Sequence, residues 1–317
     1  MQYSTFAAID IGSYDVILEI FEISKKQGIR SVDKICHRME LGKDTYTLGK
    51  IRPEMEEELC RVLADFVRIM EGYRVDDYRA TASSAISEAS NSLYVLGKIH
   101  QLTGLSVTVL SNSEQRFLSY KALAAMEDNF NKIIEKGTAI LDLDGGSFQI
   151  SLFDKDALVT TQNIRMGSLR IRERLAGIQS ETEHYEEMVE ELIWNEVSSF
   201  KKMYLKDRKI ENIMLIGDVF TDSVYQNIEE KTTKIISREN FNTWYEKIIR
   251  QSPMELAVKL GIPLENASLM YPSAVIYKCL IDMMGAEHIW IPGVHMTRGI
   301  AYEYAEQMKL LKGGHNF

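Results

Sequence analysis

The string Phe6-Ala7-Ala8-Ile9-Asp10-Ile11-Gly12-Ser13 sets an apolar run directly before an acidic residue and a Gly/Ser turn. Such a run reads as a strand ending in a tight turn near Gly12. Val16 to Ile23 then alternates apolar and charged side chains, Lys25-Lys26-Gln27-Gly28 is a turn signal, and Ile29 to Met39 returns as a third strand. This is a β-meander. The same order recurs later. Thr138-Ala139-Ile140-Leu141-Asp142 runs into Asp144-Gly145-Gly146-Ser147, Phe148 to Phe153 returns, Asp154-Lys155-Asp156 turns, and Ala157 to Asn163 is a third strand. A repeat on this scale predicts two similar α/β domains facing each other, with one Gly/Ser turn from each lining a cleft.

The boundary falls near Asp128–Gly137, which gives domains 1–128 and 129–317, with the final helix at about 298–311 free to pack back on the first domain. Pro53, followed by Glu54, Glu56, Glu57 and Glu58 and then by apolar residues at helical spacing, predicts a helix to about Gly72. Tyr78 to Ala82 reads as a strand and Ala85 to His100 as a helix. Further on, Glu181 to Tyr204, Phe241 to Ile249, Leu269 to Met284 and Arg298 to Leu311 read as helices. Ile213 to Ile216 and His288 to Ile291 read as strands.

The chain has 317 residues, with 46 Asp plus Glu against 37 Lys plus Arg, a formal charge of −9. Charged residues at 26% and hydrophobic residues at 45% are ordinary globular values and exclude a fibrous or wholly disordered chain. The acidic balance argues against non-specific binding to nucleic acid or to an anionic membrane. Cys36, Cys60 and Cys279 have no metal-ligand spacing and read as reduced and buried, as in a cytoplasmic protein. Neither a signal peptide at Met1 to Ile9 nor an apolar run of bilayer length is legible. The six histidines are scattered and argue no zinc site, and the 15 methionines read as core filler.

An aspartate at a strand end followed by glycine and serine has a chemical use. Glycine lets backbone N–H groups approach a phosphate, and the serine hydroxyl adds a donor. The aspartate can hold Mg²⁺ directly or through water. The phosphate-binding candidates are therefore Gly12, Ser13, Gly145, Gly146 and Ser147, with Asp10 and Asp142 as the metal-holding carboxylates. Each turn alone could be a plain hairpin. Two of them, each opening a meander, favour a phosphate clamp.

The chain resembles the exopolyphosphatase and guanosine-pentaphosphate phosphohydrolase (Ppx/GppA) family, within the actin-like, ribonuclease H-like (ASKHA) superfold. Ala7 to Ser13 is similar to the first phosphate loop, and Leu41-Gly42 with Gly49-Lys50-Ile51 to the segment after it. Ala82 to Ala89 resembles an A-T-S-A-x-R-E-A string, and Val109 to Gln115 an S-G-x-E-E segment. Asp142 to Gln149 resembles D-I-G-G-G-S-T-E, and Met166 to Arg170 resembles L-G-x-V-R. Tyr271-Pro272-Ser273-Ala274 and Thr297-Arg298-Gly299 fall at the C-terminal signatures. The length matches a two-domain form without an additional C-terminal helical domain. The resemblance implies Mg²⁺-dependent hydrolysis of a terminal phosphoanhydride of polyphosphate or guanosine pentaphosphate. A glutamate would prepare the attacking water, and amides and an arginine would stabilise charge.

Several positions depart from that pattern. The family's catalytic glutamate falls on Gln115, which cannot act as a general base at neutral pH. The glutamate ending the second loop falls on Gln149, and the arginine of the A-T-S-A string on Ser87. The Asn and Ser after the first turn fall on Tyr14 and Asp15, and the arginine of a C-terminal L-R-E-G string on Thr297. A third, G-x-G-G-T loop falls on Gly217-Asp218-Val219-Phe220-Thr221. Asp15, Asp144 and Glu114 are candidate compensating carboxylates, but the reading of Asp15 and Asp144 as solvated turn residues is the favoured one. Arg165, Arg170, Arg172 and Arg174 form a basic run that reads as a solvated face or an anion site, and Arg170 and Arg174 would share a helix face.

Two functions therefore stand at this point. One is a strongly impaired phosphoanhydride hydrolase using Asp10, Asp142 and the position of Gln115. The other is a non-catalytic phosphate- or nucleotide-binding or regulatory protein. A kinase of the same superfold is disfavoured by the lost glycines at Val219-Phe220. The partner expected is polyphosphate or a phosphate-rich small molecule, with neither nucleic acid nor membrane, and a homodimer is compatible with the sequence.

Overall fold

The structure, a computed structural model, describes residues 3–126, 130–176, 185–206, 208–217, 220–221, 223 and 234–310. The chain divides into two compact units, Met1–Ala125 with Val294–Phe317, and Met126–Gly293.

In the first unit β1 (Ser4–Ile11), β2 (Asp15–Ser24) and β3 (Gly28–Arg38) form the meander. They are followed by α1 (Leu41–Leu48), α2 (Pro53–Tyr73), β4 (Asp77–Ala82), α3 (Ser84–Ser87), α4 (Ser92–Thr103), β5 (Val107–Val109) and α5 (Asn112–Met126). The sheet runs β3-β2-β1-β4-β5, antiparallel within the meander and parallel from β1 through β4 to β5. β1 is apolar and buried from Phe6 to Ile9 because helices cover both of its faces there. Ala7, Ile9 and Ile11 face the cluster that holds Leu59, Leu63 and Phe66 of α2. Phe6 and Ala8 face Ile300, Ala301 and Ala305 of a helix from the chain's end.

In the second unit α6 (Phe130–Ile134) leads into a second meander, β6 (Thr138–Leu143), β7 (Phe148–Asp154) and β8 (Ala157–Ile164). Then come α7 (Ser168–Leu175), α8 (Tyr185–Phe200), a π-helical turn (Lys201–Leu205), β9 (Asn212–Ile216) and β10 (Lys234–Ser237). The rest is α9 (Arg238–Ile249), α10 (Pro253–Leu260), α11 (Leu264–Met284) and β11 (His288–Ile291); α12 (Met296–Gln307) returns to the first unit. The sheet order is β10-β11-β9-β6-β7-β8. Its β8-β7-β6-β9-β11 part repeats the first sheet, with meander at one side and parallel strands at the other. Each unit is thus an α/β domain of the actin-like kind.

Three readings from sequence need correction. Ala85 to His100 is two helices, α3 ending at Ser87 and α4 starting at Ser92, and between them the Asn91 amide is spent on Ile51 N–H, Ile51 C=O and Glu56. Cys36 is exposed and Cys279 half-buried, and only Cys60 is buried. The basic run is not one solvated face: Arg165 and Arg174 are exposed, but Arg172 donates to Glu173 and Ser268 and Arg170 to a carbonyl of the turn at Gly145–Gly146, so these two are built into the second unit. The expected helix start at 181–184 lies outside the described residues. Among the described residues no helix is long and apolar enough to cross a membrane.

Candidate functional site

Both meanders turn through four residues, and the same hydrogen bond closes both turns. In the first unit Ile11 pairs with Val16, and Gly12 N–H donates to Asp15 C=O at 2.9 Å. In the second Leu143 pairs with Phe148, and Asp144 N–H donates to Ser147 C=O at 2.9 Å. The two turns therefore superpose residue by residue in register. Asp10 corresponds to Asp142, Gly12 to Asp144, Ser13 to Gly145, and Asp15 to Ser147. This register differs from a simple matching of the Gly-Ser letters, because the first turn carries its serine two positions earlier.

The first turn is tightly held. Gly42 N–H donates to Ser13 C=O at 2.7 Å, Met39 N–H to Tyr14 C=O at 3.1 Å, and Ser83 N–H to Ile11 C=O at 3.1 Å. A β-carbon on Gly12 would sit 2.9 Å from Asp15 Oδ1, so a side chain there would push the Asp15 carboxylate aside, although the turn itself can close without glycine, as Asp144 shows at the equivalent place. Ser13 is fully buried; its hydroxyl shares a 2.7 Å hydrogen bond with Tyr46, whose phenol meets Ser84 Oγ at 2.8 Å. The hydroxyl expected to face a ligand is thus directed into the fold. Asp10 is half-buried at the end of β1, and Thr81 Oγ1 lies 3.3 Å from its Oδ1. Asp15 accepts from Arg38 Nη1 at 2.7 Å.

The second turn is braced by the start of α7. Arg170 N–H donates to Gly145 C=O at 3.0 Å, and its Nε donates to Gly146 C=O at 2.9 Å. Gly167 presses against the turn so closely that a β-carbon would lie 2.1 Å from Asp144 C=O. Asp144 Oδ1 accepts from Gly145 N–H at 2.6 Å within the turn itself. Beyond β9, Gly217 has φ +84° and would bring a β-carbon to 2.5 Å from Asp142 Oδ1. Glycine there is what allows the backbone to lie against the Asp142 carboxylate. Gly167 and Gly217 lie in strings that resemble family motifs, the L-G-x-V-R string and the third loop. The strings did not show why glycine stands there, which is the close approach of each backbone to the second turn or to Asp142. Asp218 and Val219 lie outside the described residues.

Gln149 is opposite Asp142 in the β6–β7 ladder and is buried. Opposed residues share a face, so a carboxylate at 149 would stand beside Asp142; here an amide does. Gln115 is half-buried in the first turn of α5. Its neighbour Glu114 is exposed and caps that helix: Ser111 N–H and Oγ–H donate to Glu114 Oε2 at 2.8 and 2.7 Å, and Glu114 N–H lies 3.3 Å from Ser111 Oγ. The Ser111 backbone N–H, and then its hydroxyl, hold the Glu114 carboxyl below the usual carboxylate range, which makes it a poorer base. Thr297 is fully buried and donates to the buried Glu19 carboxylate, which also accepts from Ser31. Ser87 is exposed.

Asp10 and Asp142 each stand at a strand end beside a turn, and the other carboxylate of each turn is engaged, Asp15 by Arg38 and Asp144 by Gly145 N–H. Among the described residues no three acidic, histidine or cysteine side chains converge on a metal position. Mg²⁺ is commonly held by one or two carboxylates together with substrate phosphates and water, so this donor set fits a phosphate-borne Mg²⁺ and not a protein cage.

Two sheets of this order, each with an aspartate and a hydrogen-bonded turn at its central hairpin, define an α/β protein of actin-like fold. The chain belongs to the Ppx/GppA phosphatase family, whose model matches residues 19–308. It is 21% identical over 310 residues to the bifunctional 3-dehydroquinate synthase/phosphatase of Fusobacterium nucleatum, covering 89% of this chain and 44% of that protein. Over 144 residues it is 25% identical to exopolyphosphatase 1 of Mycobacterium leprae, covering 45% of this chain and 41% of that one. The chain spans less than half the length of these curated relatives. In fold it is similar to an exopolyphosphatase from Cytophaga hutchinsonii, with a TM-score of 0.85, 17% identity and coverage of 98% and 100% of the two chains. It is also similar to the Aquifex aeolicus Ppx/GppA family member, with a TM-score of 0.77, 18% identity and coverage of 97% and 99%.

Proposed function

We propose that this protein binds the phosphate groups of inorganic polyphosphate or of guanosine pentaphosphate at the Asp10–Asp15 and Asp142–Ser147 turns, and that it hydrolyses the terminal phosphoanhydride only weakly. The observation that carries this reading is the pair of superposable turns in a member of a phosphatase family, set against an amide at Gln115 and another at Gln149 opposite Asp142. The amides of Gly146 and Ser147 and the Ser147 hydroxyl are the donors offered to phosphate in the second turn. Asp10 and Asp142 would hold Mg²⁺, which supplies charge neutralisation of the phosphate oxygens when bound.

The chain's own residues then orient the anion but prepare the attacking water poorly. Gln115 can accept a hydrogen bond from water and fix its direction, but it cannot take its proton at neutral pH. Glu114 is bound to Ser111, and its lowered proton affinity does not favour a base role. Asp15 is paired to Arg38, and Asp144 to Gly145 N–H. Loss of a general base alone costs about 10²–10⁴-fold in rate. A non-catalytic binding or regulatory role is the second reading, favoured by Gln149 replacing the carboxylate next to Asp142.

Phosphate release from polyphosphate and from guanosine pentaphosphate with Mg²⁺, measured for the parent and for Gln115→Glu, tests both. The parent is expected to release phosphate slowly. Gln115→Glu is expected to recover little, because residues acting as a unit are not additive and Gln149 remains. Fast release by the parent would overturn the impaired-hydrolase reading. No detectable release with retained binding would leave the binding role.

A further inference from the structure

The repeated turns expose a chemical mismatch. Asp15 stands in the first turn where Ser147 stands in the second, because the same hydrogen bond closes both. A hydroxyl at that place can donate to a phosphate, whereas a carboxylate only accepts and repels one. An unneutralised Asp15 would therefore oppose the anion binding proposed above.

Asp15 is neutralised from the neighbouring strand. Arg38 is opposite Asp15 in the β2–β3 ladder and donates from Nη1 to Asp15 Oδ2 at 2.7 Å. The guanidinium carbon lies 5.8 Å from the centre of the Tyr14 ring. Met39 N–H, bonded to Tyr14 C=O, fixes the strand end that carries Arg38. So the two adjacent residues of the turn, Tyr14 and Asp15, both touch one cation. The Arg38 side chain keeps 35% of its surface accessible and Asp15 only 13%, so the carboxylate is the covered member and the guanidinium the outward one. Asp15 takes one of the five N–H donors that a guanidinium carries.

We propose that Arg38 is the anion-binding cation of the first turn, with Asp15 and Tyr14 as the positioning residues that hold its guanidinium at the mouth of the turn. The inference rests on the phosphate-binding reading. A planar guanidinium already braced by a carboxylate and a ring gives up less side-chain freedom on meeting a phosphate, and its fork matches two phosphate oxygens. An ordinary surface Arg–Asp pair would contribute little to anything. What separates this pair from that case is its place on a turn whose counterpart carries a hydroxyl.

The test is binding of tripolyphosphate with Mg²⁺ to the full chain by isothermal titration calorimetry at two salt concentrations. Arg38→Ala is expected to weaken binding by about tenfold or more, the worth of one charge-assisted hydrogen bond, and to reduce its salt dependence. Arg38→Lys is expected to recover part of the loss. Asp15→Asn removes a negative charge but leaves an amide oxygen that still accepts from Arg38 and keeps it in place, so affinity should hold or rise. Arg30→Ala removes the cation that pairs with Glu22 elsewhere on the same hairpin and should stay within about twofold of the parent. Should the parent bind and Arg38→Ala match it within about twofold, the assignment of Arg38 falls while phosphate binding stands. Equal losses in Arg38→Ala and Asp15→Asn would show a purely structural pair and also overturn it. Absence of binding by the parent would bring down the phosphate-binding reading, and Arg38 with it.

Discussion

At Gly217 and Gly28 the same backbone conformation has different consequences, and the difference isolates one contact. Both have positive φ, +84° and +72°, but a β-carbon on Gly28 meets nothing within 4 Å while one on Gly217 meets Asp142 Oδ1 at 2.5 Å. Gly28→Ala should therefore cost only the left-handed strain, about 1–2 kcal/mol. Gly217→Ala should cost more and also displace the Asp142 carboxylate. Denaturant midpoints of the two variants check the first point, and Mg²⁺-dependent tripolyphosphate binding checks the second. Equal stability losses with unchanged binding would separate Gly217 from the site. The place of Asp142 at a strand end was legible from the string it closes. The reason for glycine at 217 was not, because it is a backbone pressed against a side chain from another strand.

Capping separates the helices whose limits could be read from those that could not. Pro53 with its acidic first turn marked α2 correctly, since both signals are local. The Ser111-x-x-Glu114 and Ser252-x-x-Glu255 boxes start α5 and α10 by equally local chemistry, yet neither helix was anticipated. From its string Glu114 reads only as a carboxylate for chemistry, and its cap role follows from the hydrogen bonds. Replacing Ser252 by Ala should cost about 1 kcal/mol, read as a shift in the denaturation midpoint. For Glu114 the sign of the pH dependence is fixed by its depressed proton affinity in the folded chain. Its stabilisation is present above the usual carboxylate range, near about pH 4.3, and disappears as pH falls through the lower folded value. Thermal melts of the parent and Glu114→Gln should therefore differ at about pH 7, and the gap should narrow steadily as pH falls below about 4.3. A gap that widens on acidification would contradict the assigned hydrogen bonds.

On the scale of the whole chain, the repeated meander was readable because each copy is continuous in sequence and its Asp–Gly turns are self-contained. That α12 could pack back on the first unit was open from the sequence, but the contacts that place it there are long-range. Phe6 stacks on Tyr304 at 4.0 Å, and Ile300, Ala301 and Ala305 cover Phe6, Ala8 and Phe21. Lys121 pairs with Glu306 and Arg79 with Glu303, so α12 is tied by charge as well as by apolar contact. Gly299 lets the helix reach α5, since a β-carbon there would lie 2.3 Å from Leu118 C=O. Ending the chain after Gly293 should therefore uncover one face of the first sheet while leaving the second unit's core complete. Ile300→Ala is the gentler form of the same test. It should destabilise the first unit by about 2–5 kcal/mol, the range for a fully buried large-to-small change. Hydrogen exchange reports the two units separately, so amides of β1 and β2 should lose protection in Ile300→Ala while those of β6 and β7 keep theirs. Equal loss in both sheets would mean that the chain unfolds as one cooperative body.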